Sequence, residues 1–123
     1  MTEFILPFPP SELSPNQRLH WSKVARVKRA YREACWAQTL EQKASVPAGE
    51  SKLALYLTFY KPNRREMDRD NLLARMKAGL DGVADALKIN DKRFDPVVVS
   101  VSDEIGGYVR VRIQGENNGE KTI

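Results

Sequence analysis

The stretch KLALYLTFYKPNRREMDRDNLLARMKAGLDGVADAL, Lys52 to Leu87, carries the strongest secondary-structure signals of the chain. In Lys52–Tyr60, leucine and phenylalanine alternate with alanine, threonine and tyrosine, a period of two that predicts a half-buried β-strand. After Lys61–Asn63, apolar residues recur at helical spacing and predict a helix that ends near Leu87. Gly79 and Gly82 weaken such a helix slightly or let another backbone approach it closely. The stretch therefore predicts a strand, a polar connector and a helix.

Two further elements precede this stretch. Phe4–Phe8 predicts a short strand that Pro9 terminates, and the pattern from about Trp21 to Lys43 predicts a helix with one apolar face. In the polar loop between them, Ser14-Pro15 is an alternative helix start, with Gln17 completing a capping box. Basic residues step down the other side of the first helix at a spacing of three, and we call them the basic stripe: Lys23, Arg26, Arg29 and Arg32.

Two strands follow the stretch. Val97–Val101 and Tyr108–Ile113 flank Glu104–Gly107, a turn sequence that predicts a hairpin between them. The order is therefore β-α-β-α-β-β, which predicts an α+β fold with one small mixed β-sheet packed with two main helices. At 123 residues, the chain is expected to form a single domain over residues 1–123, with residues 116–123 as a loose tail.

Composition and single residues exclude several classes of protein. The net charge of +4 favours an anionic partner without naming one. The single cysteine, Cys35, excludes an internal disulfide and lies in a helical setting where a buried, unreactive thiol is expected. The single histidine, His20, lacks the additional histidine or cysteine ligands of a zinc site.

The amino terminus lacks the basic segment of a signal peptide, and no apolar run approaches the roughly 20 residues of a membrane span, so a cytoplasmic protein is expected.

The connector before the second helix concentrates acid among cations. Asp68 and Asp70 are two residues apart, and if residues 68–70 are extended, both carboxylates can face one point. Asp91, in the loop after the helix, could fold back beside them. Three carboxylates suit Mg²⁺, which polarises a phosphoryl oxygen and lowers the pKa of a bound water. The surrounding cations are Lys61, Arg64, Arg65 and Arg69.

A second interpretation is open for each of these residues. Aspartate at a helix N-terminus accepts backbone hydrogen bonds and meets the positive end of the helix dipole, so Asp68 and Asp70 could serve only as caps. Lys77 lies two turns from Asp70 on the same helix face, where it could reach a phosphate or pair with Asp81. The basic stripe is either a solvated face or a set of phosphate contacts on duplex DNA.

The sequence resembles the RusA family of Holliday junction resolvases, in its phage and prophage branch. MDRDNL, Met67 to Leu72, is similar to the family's D-x-D-N-L signature and is the most specific part of the resemblance. Other segments follow the family pattern in the expected order, over roughly residues 5–100: LPFPPS (Leu6–Ser11), LSPNQRLHW (Leu13–Trp21), KAGLDGVADAL (Lys77–Leu87) and INDKRF (Ile89–Phe94).

This resemblance implies an endonuclease that uses Mg²⁺, or Mn²⁺ as a substitute, and acts as a homodimer. Such enzymes cut four-way DNA junctions by paired nicks, in recombination and repair, in the cytosol of a bacterium or phage-infected host. The resemblance implies that Asp68, Asp70 and Asp91 are catalytic metal ligands, while Asn90, which replaces a frequent family acid, is at most auxiliary. Lys77 stands in for the family's helix lysine, three residues further from the D-N-L motif than in some members. The residues expected to contact DNA are Lys23, Arg26, Arg29, Arg32, Arg64, Arg65 and Arg69.

Two other function classes remain open from the sequence. A non-catalytic nucleic-acid-binding protein would use the acids only as helix caps, although carboxylates near DNA phosphates cost Coulomb energy unless a cation lies between them. A structural or interaction module of a phage would show no salt-sensitive DNA binding. For a junction resolvase, a homodimer matches the two-fold symmetry of the substrate, and Phe4–Phe8 is a candidate for the shared surface.

Overall fold

The computed structural model describes residues 2–115 and has the predicted α+β architecture, with the predicted order of strands and helices. The predicted tail, residues 116–123, lies outside the described residues. The strands are β1 (Thr2–Pro7), β2 (Leu53–Tyr60), β3 (Phe94–Val101) and β4 (Tyr108–Gly115), and the helices are α1 (Trp21–Glu41) and α2 (Arg69–Leu87). Short 3-10 turns cover Ser11–Leu13 and Asp91–Arg93.

The four strands form one mixed sheet in the order β1-β4-β2-β3. β4 pairs antiparallel with β1 and β2, while β2 and β3 are parallel. The predicted hairpin between the last two strands is therefore wrong, because β2 lies between them. The glycines of the turn sequence serve another purpose: the backbone N–H groups of Gly106 and Gly107 donate to the carbonyls of Lys61 and Tyr60. The loop thus crosses the end of β2 and carries the chain to its other side.

The sheet topology places three strand ends together. β1, β2 and β3 all run in the same direction, so their last residues lie at one end of the sheet, beside the first residue of β4. We call this the carboxyl end of the sheet. α2 carries the chain back to the opposite end, where Phe94 pairs with Leu53. Ligand sites of open sheets with parallel strands form outside the carboxyl ends of those strands. The residues that mark this end are Pro7, Tyr60, Val101 and Tyr108.

The core lies between one face of the sheet and the two helices. In β2 the predicted alternation is confirmed, since Leu53, Leu55, Leu57 and Phe59 are fully buried. Cys35 of α1 is also fully buried, so the expected burial of this thiol is confirmed, and this burial raises its pKa to about 12. Within residues 2–115, no helix is both long enough and apolar enough to cross a membrane.

The two helices pack closely because glycines of α2 face α1. A Cβ atom placed on Gly82 would lie 2.2 Å from the carbonyl oxygen of Arg32, and one on Gly79 would lie 2.6 Å from Cε2 of Tyr31. The prediction that a glycine admits another backbone is therefore confirmed at Gly82, whereas Gly79 admits the side chains of Tyr31 and Cys35. The helices run in the same direction: Val24 lies near Ala74 and Ala78, and further along, Arg32 pairs with Asp85. Their amino ends consequently lie at the same end of the molecule. The contacts that show this direction join residues 24–36 of α1 to residues 74–85 of α2.

Helix α1 begins at Trp21, not at the alternative start near Ser14. The ring of His20 caps the helix, because its Nδ1 accepts a hydrogen bond from the backbone N–H of Ser22 at 3.1 Å. The Ser14 hydroxyl instead accepts a hydrogen bond from the side-chain amide of Asn71 at 2.9 Å. The predicted start near Trp21 is therefore confirmed, and the alternative start at Ser14-Pro15 is not formed, since the Ser14 hydroxyl joins the loop to α2.

The outer edge of β1 is closed at its centre by a side chain. The amide of Gln42 accepts from the backbone N–H of Ile5 at 2.8 Å and donates to the carbonyl of Ile5 at 2.6 Å. Capped backbone groups on an edge strand oppose pairing with another strand. A second copy of the chain that paired along β1 would have to displace Gln42.

Candidate active site at the carboxyl end of the sheet

The connector between β2 and α2 is shaped by local hydrogen bonds. The backbone N–H of Arg65 donates to Oδ1 of Asn63 at 2.9 Å, and Nζ of Lys61 donates to the carbonyl oxygen of Arg65 at 2.8 Å. These bonds fold residues 61–65 into a compact turn beyond the end of β2. The guanidinium groups of Arg64 and Arg65 stay exposed beside the start of α2.

Asp68 is the N-cap of α2. Its backbone is extended, with φ −73° and ψ 134°, and its Oδ1 accepts a hydrogen bond from the backbone N–H of Asp70 at 3.1 Å. Since the helix begins at Arg69, the condition that residues 68–70 are extended is not met: Asp70 already lies in the first helical turn. Both carboxylates are exposed at the positive end of the helix dipole. The capping interpretation is thus correct for one oxygen of Asp68, which leaves its second oxygen free within residues 2–115.

The cap borders a cleft of about 780 Å³, which we call the Asp68 cleft. One wall is the connector before α2, and the other is the loop that follows β1. Its lining is mostly polar and includes Ser11, Ser14, Asn16, Asn63, Arg65, Glu66, Asp68 and Asn71. Such a cleft offers space for a phosphate and its neighbouring sugar next to the exposed acids.

Two residues of α2 that sequence reasoning missed hold the loop wall of this cleft. Arg75 is 8% exposed, and its guanidinium donates to the carbonyl oxygens of Pro9 at 2.7 Å and Pro10 at 3.2 Å while lying over the ring of Phe8. Desolvation by this burial lowers the pKa of Arg75. Asn71 adds the bond to Ser14 described above. Arg75 could have been found from the sequence, because it interrupts the apolar face of α2 as the one charged residue between buried neighbours.

A second, smaller cavity of about 310 Å³ lies on the other side of the connector. Its cations are Lys61, Arg64 and Arg69, and its acids are Glu66 and Asp103. Asp103 follows β3 and was not a predicted site residue. It reaches the site only because β3 is parallel to β2, which sequence reasoning did not predict.

Asp91 lies away from the other two acids. Helix α2 has 19 residues, which at about 1.5 Å per residue separate its ends by roughly 28 Å. The four residues from Leu87 to Asp91 can recover at most about 14 Å of that distance. In addition, Asp91 precedes Phe94, which pairs with Leu53 at the end of the sheet opposite Tyr60. The expected fold-back of Asp91 beside Asp68 and Asp70 is therefore wrong within one chain.

The described residues offer few clustered carboxylate ligands for Mg²⁺. Among residues 2–115, no group of three or more histidine, cysteine, aspartate or glutamate side chains lies close enough together to hold a metal ion. Mg²⁺ is commonly bound through only one or two carboxylates, together with waters and substrate phosphates. The exposed pair Asp68 and Asp70 fits this mode, in which a phosphate completes the site. Asn90 caps the 3-10 turn at Asp91 by accepting from the backbone N–H of Lys92 at 2.9 Å, so it has a structural role.

Lys77 lies on α2 about 10 Å along the axis from Asp70 and on the same face. Within residues 2–115 it forms no ion pair, and so the alternative pairing with Asp81 is not formed. It borders a groove of about 490 Å³ between α1 and α2, shared with Lys28 and Glu12. This groove and the Asp68 cleft have Ser14, Gln17 and Arg75 in common, so they are adjacent.

Among the described residues, the basic stripe contains three unpaired cations and one that forms an ion pair. Lys23, Arg26 and Arg29 are exposed and form no ion pair with other residues of the 2–115 range. Arg32 donates two hydrogen bonds to Oδ2 of Asp85, which raises the pKa of Arg32. Because α1 and α2 run in the same direction, the three unpaired cations lie toward the end of the molecule that holds Asp68 and Asp70.

No family model matches the chain. The chain is 40% identical over 122 residues to an uncharacterized protein of Xylella fastidiosa (strain Temecula1 / ATCC 700964), in an alignment that covers 94% of this chain and 77% of that protein. The chain belongs to the same family as that protein. The relative's name specifies no activity, so the function has to be inferred from the residues of the site.

Proposed function

We propose that this protein is a Mg²⁺-dependent, structure-selective endonuclease that resolves Holliday junctions and related branched DNA by paired phosphodiester hydrolysis. The observation that carries the proposal is the position of Asp68 and Asp70. Both carboxylates are exposed at the amino end of α2, among arginines that have no acidic partner within residues 2–115. Exposed carboxylates within a basic surface can bind a divalent cation that lies between the protein and a DNA phosphate.

The chain's own residues would then have distinct tasks. Asp68 and Asp70 would hold the cation, which when bound supplies Lewis-acid activation of the phosphate and of a water. The backbone N–H of Asp70 fixes the Asp68 carboxylate at 3.1 Å, so this ligand is oriented before substrate arrives. Arg64, Arg65 and Arg69 would bind the phosphates on either side of the scissile bond. Lys77 lies further along the helix, where it would contact the same strand.

A homodimer would supply the second cut and the third acid. A junction is resolved by two nicks related by two-fold symmetry, which two identical sites provide. Since Asp91 cannot reach Asp68 and Asp70 of its own chain, it can act as a ligand only if a second copy presents it. Each site of the proposed dimer therefore combines Asp68 and Asp70 of one chain with Asp91 of the partner subunit. We place this activity in the cytosol of a bacterium or phage-infected cell, where branched recombination and repair intermediates form.

The direct test is incubation with an end-labelled four-way junction or a linear duplex of the same length, in Mg²⁺, Mn²⁺ or chelator. Symmetric nicks in the junction with either metal, absent in chelator and rare in the duplex, are expected. Light scattering of the same preparation should give the mass of a dimer. Junction binding without nicking in either metal would contradict the proposed reaction.

The second candidate is a non-catalytic nucleic-acid-binding protein. It is favoured by the hydrogen bond that makes Asp68 a helix cap and by the distance of Asp91 from it. Under this function, neutral replacement of Asp68 or Asp70 would change only stability and DNA affinity. The nicking assay separates the two candidates.

A further inference from the structure

The sheet face opposite the helices carries aromatic rings and cations in place of a second apolar layer. We call it the open face, and within residues 2–115 no helix packs on it. Its central side chains are half-buried or exposed, whereas their neighbours along each strand are buried in the core. The residues that define it are Tyr56, Thr58, Tyr60, Tyr108, Arg110 and Arg112.

Rings and guanidinium groups on the open face are stacked on each other. The rings of Tyr60 and Tyr108 lie 4.5 Å apart with an interplanar angle of 18°. The guanidinium carbon of Arg112 lies 4.4 Å from the ring centre of Tyr56, and that of Arg110 lies 5.4 Å from the ring centre of Tyr60. This arrangement follows from the register, which places Tyr60 opposite Tyr108 and Tyr56 opposite Arg112. The result is a row of flat surfaces across β2 and β4.

Arg110 and Arg112 of this row form no ion pair within the described part of the chain. Within residues 2–115, the two ion pairs are Arg32–Asp85 and Lys52–Asp95, so neither Arg110 nor Arg112 has an acidic partner there. Nε of Arg112 is buried without a hydrogen-bond partner in the same range. The guanidinium of Arg112 is therefore positioned by its contact with the Tyr56 ring and not by an acid of the described residues.

The open face is continuous with the candidate active site. Tyr60 is the last residue of β2 and precedes Lys61 of the connector, and the carbonyl of Tyr60 accepts from the backbone N–H of Gly107 at 2.6 Å. At the other end, the row leads to a groove of about 440 Å³ lined by Lys52, Tyr56 and Gln114. A DNA strand that leaves the Asp68 cleft would thus pass over the tyrosine rings toward this groove.

We propose that the open face binds a single-stranded segment of DNA, with bases stacked on the tyrosine and arginine planes and phosphates held by the guanidinium edges. Stacking on aromatic side chains within a positively charged surface is the general mode of single-strand binding. The inference rests on the proposed DNA substrate but not on cleavage. Its role would be selection of substrates with unpaired bases at the branch.

A second copy of the chain is a less suitable occupant of this face. Two-fold packing of open face on open face would bring Arg110 and Arg112 of both copies together, and burial of like charges is costly. Two acids lie near the row: Glu3, which lies opposite Arg112 in the register but forms no ion pair with it, and Asp95, which lines the groove beside Tyr56 and pairs with Lys52. Nucleic acid instead supplies negative charge along the whole row.

The test is fluorescence anisotropy in chelator, with a labelled oligothymidine strand and a duplex of equal length. The double variant Tyr56→Leu/Tyr108→Leu should raise the Kd for the single strand at least about tenfold and change the duplex Kd by less than about twofold. Tyr56→Phe/Tyr108→Phe keeps both rings and should bind like wild type. Arg26→Gln/Arg29→Gln on α1 is the matched control, and it should weaken the duplex more than the single strand.

Several outcomes would overturn this inference. One is an unchanged single-strand Kd for the leucine variant, and another is equal loss of binding by the phenylalanine variant, which would exclude base stacking. A monomeric leucine variant in light scattering, with the wild type dimeric, would make the open face a subunit interface. Because all binding is measured without metal, failure of the nuclease proposal in the nicking assay leaves these results separate. Circular dichroism melts of each variant verify that it is folded, and the phenylalanine variant remains a test if the leucine variant unfolds.

Discussion

Oδ1 of Asp68 accepts a hydrogen bond from the backbone N–H of Asp70 at 3.1 Å, so one acid of the proposed site also starts the helix that carries the other. Structural and catalytic roles can be separated here by side-chain chemistry. Asparagine caps helices about as well as aspartate, whereas alanine does not.

We expect Asp68→Ala to lower the free energy of unfolding by about 1 kcal/mol, and Asp68→Asn to change it by less than about 0.5 kcal/mol. Both variants should lose metal-dependent nicking, because neither side chain replaces a carboxylate ligand. Urea unfolding and junction nicking on the same preparations check this. Equal destabilisation by both substitutions would mean that the cap depends on the charge of Asp68.

The division of the basic stripe predicts unequal contributions to DNA affinity. Replacement of Arg26 and Arg29 by alanine should flatten the slope of log K against log salt, by about 0.9 for each phosphate that the variant no longer neutralises. Arg32→Ala is the matched control on the same helix, and since Asp85 already neutralises Arg32, its slope should stay near that of wild type. Duplex binding at several salt concentrations measures all three slopes. If the double variant keeps the wild-type slope, the stripe is only a solvated face.

The separation of Asp91 from Asp70 predicts complementation between inactive subunits. Asp70→Asn and Asp91→Asn should each be inactive alone. An equal, re-equilibrated mixture should recover about a quarter of the wild-type nicking rate, because half of the dimers are mixed and each has one intact site.

The matched control for this mixture is Asp68→Asn with Asp70→Asn. Both residues come from the same subunit, so every mixed dimer contains two defective sites and no activity should return. Recovery in neither mixture would mean that Asp91 does not complete a site across subunits.

The glycine contact between the helices predicts an unusual effect of alanine. Gly82→Ala introduces a better helix former but places Cβ 2.2 Å from the backbone oxygen of Arg32, so unfolding should become easier by about 1–3 kcal/mol. Gly79→Ala should cost less, because its Cβ meets side-chain atoms of Tyr31 and Cys35, which can move. Thermal melts of both variants test the order. A stabilised Gly82→Ala protein would contradict the close helix contact.

The sequence predicted the elements well because their signals are local. Strict alternation in Leu53–Tyr60 and helical spacing after Asp68 are fixed by burial on one face, so both elements form where expected. The pairing of strands is not local. The glycines before Tyr108 indicate a tight turn equally in a hairpin and in a loop that crosses β2, and only the backbone bonds to Tyr60 and Lys61 distinguish them.

The same limit applies to the candidate site. Spacing predicted that the carboxylates of Asp68 and Asp70 face one point if residues 68–70 are extended, but the helix begins at Arg69 and the two residues are joined instead by the hydrogen bond from the Asp70 N–H to Asp68. The position of Asp91 depends on the direction of β3 relative to β2, which sequence spacing does not specify. The interruption of the apolar face of α2 marks Arg75 as unusual, but its hydrogen bonds to the carbonyls of Pro9 and Pro10 cross the fold, and no local pattern indicates those partners.

The central claim is that Asp70 binds a catalytic cation, and Asp70→Asn tests it most directly. The variant keeps the shape of the side chain and loses its charge at the amino end of α2, so the free energy of unfolding should change by less than about 1 kcal/mol. Junction affinity in chelator should hold or increase, because one negative charge near the phosphates is gone. Nicking of a labelled four-way junction in Mg²⁺ should fall to background. A folded, junction-binding Asp70→Asn protein that nicks at the wild-type rate would contradict the claim and leave Asp70 as a residue of the helix end alone.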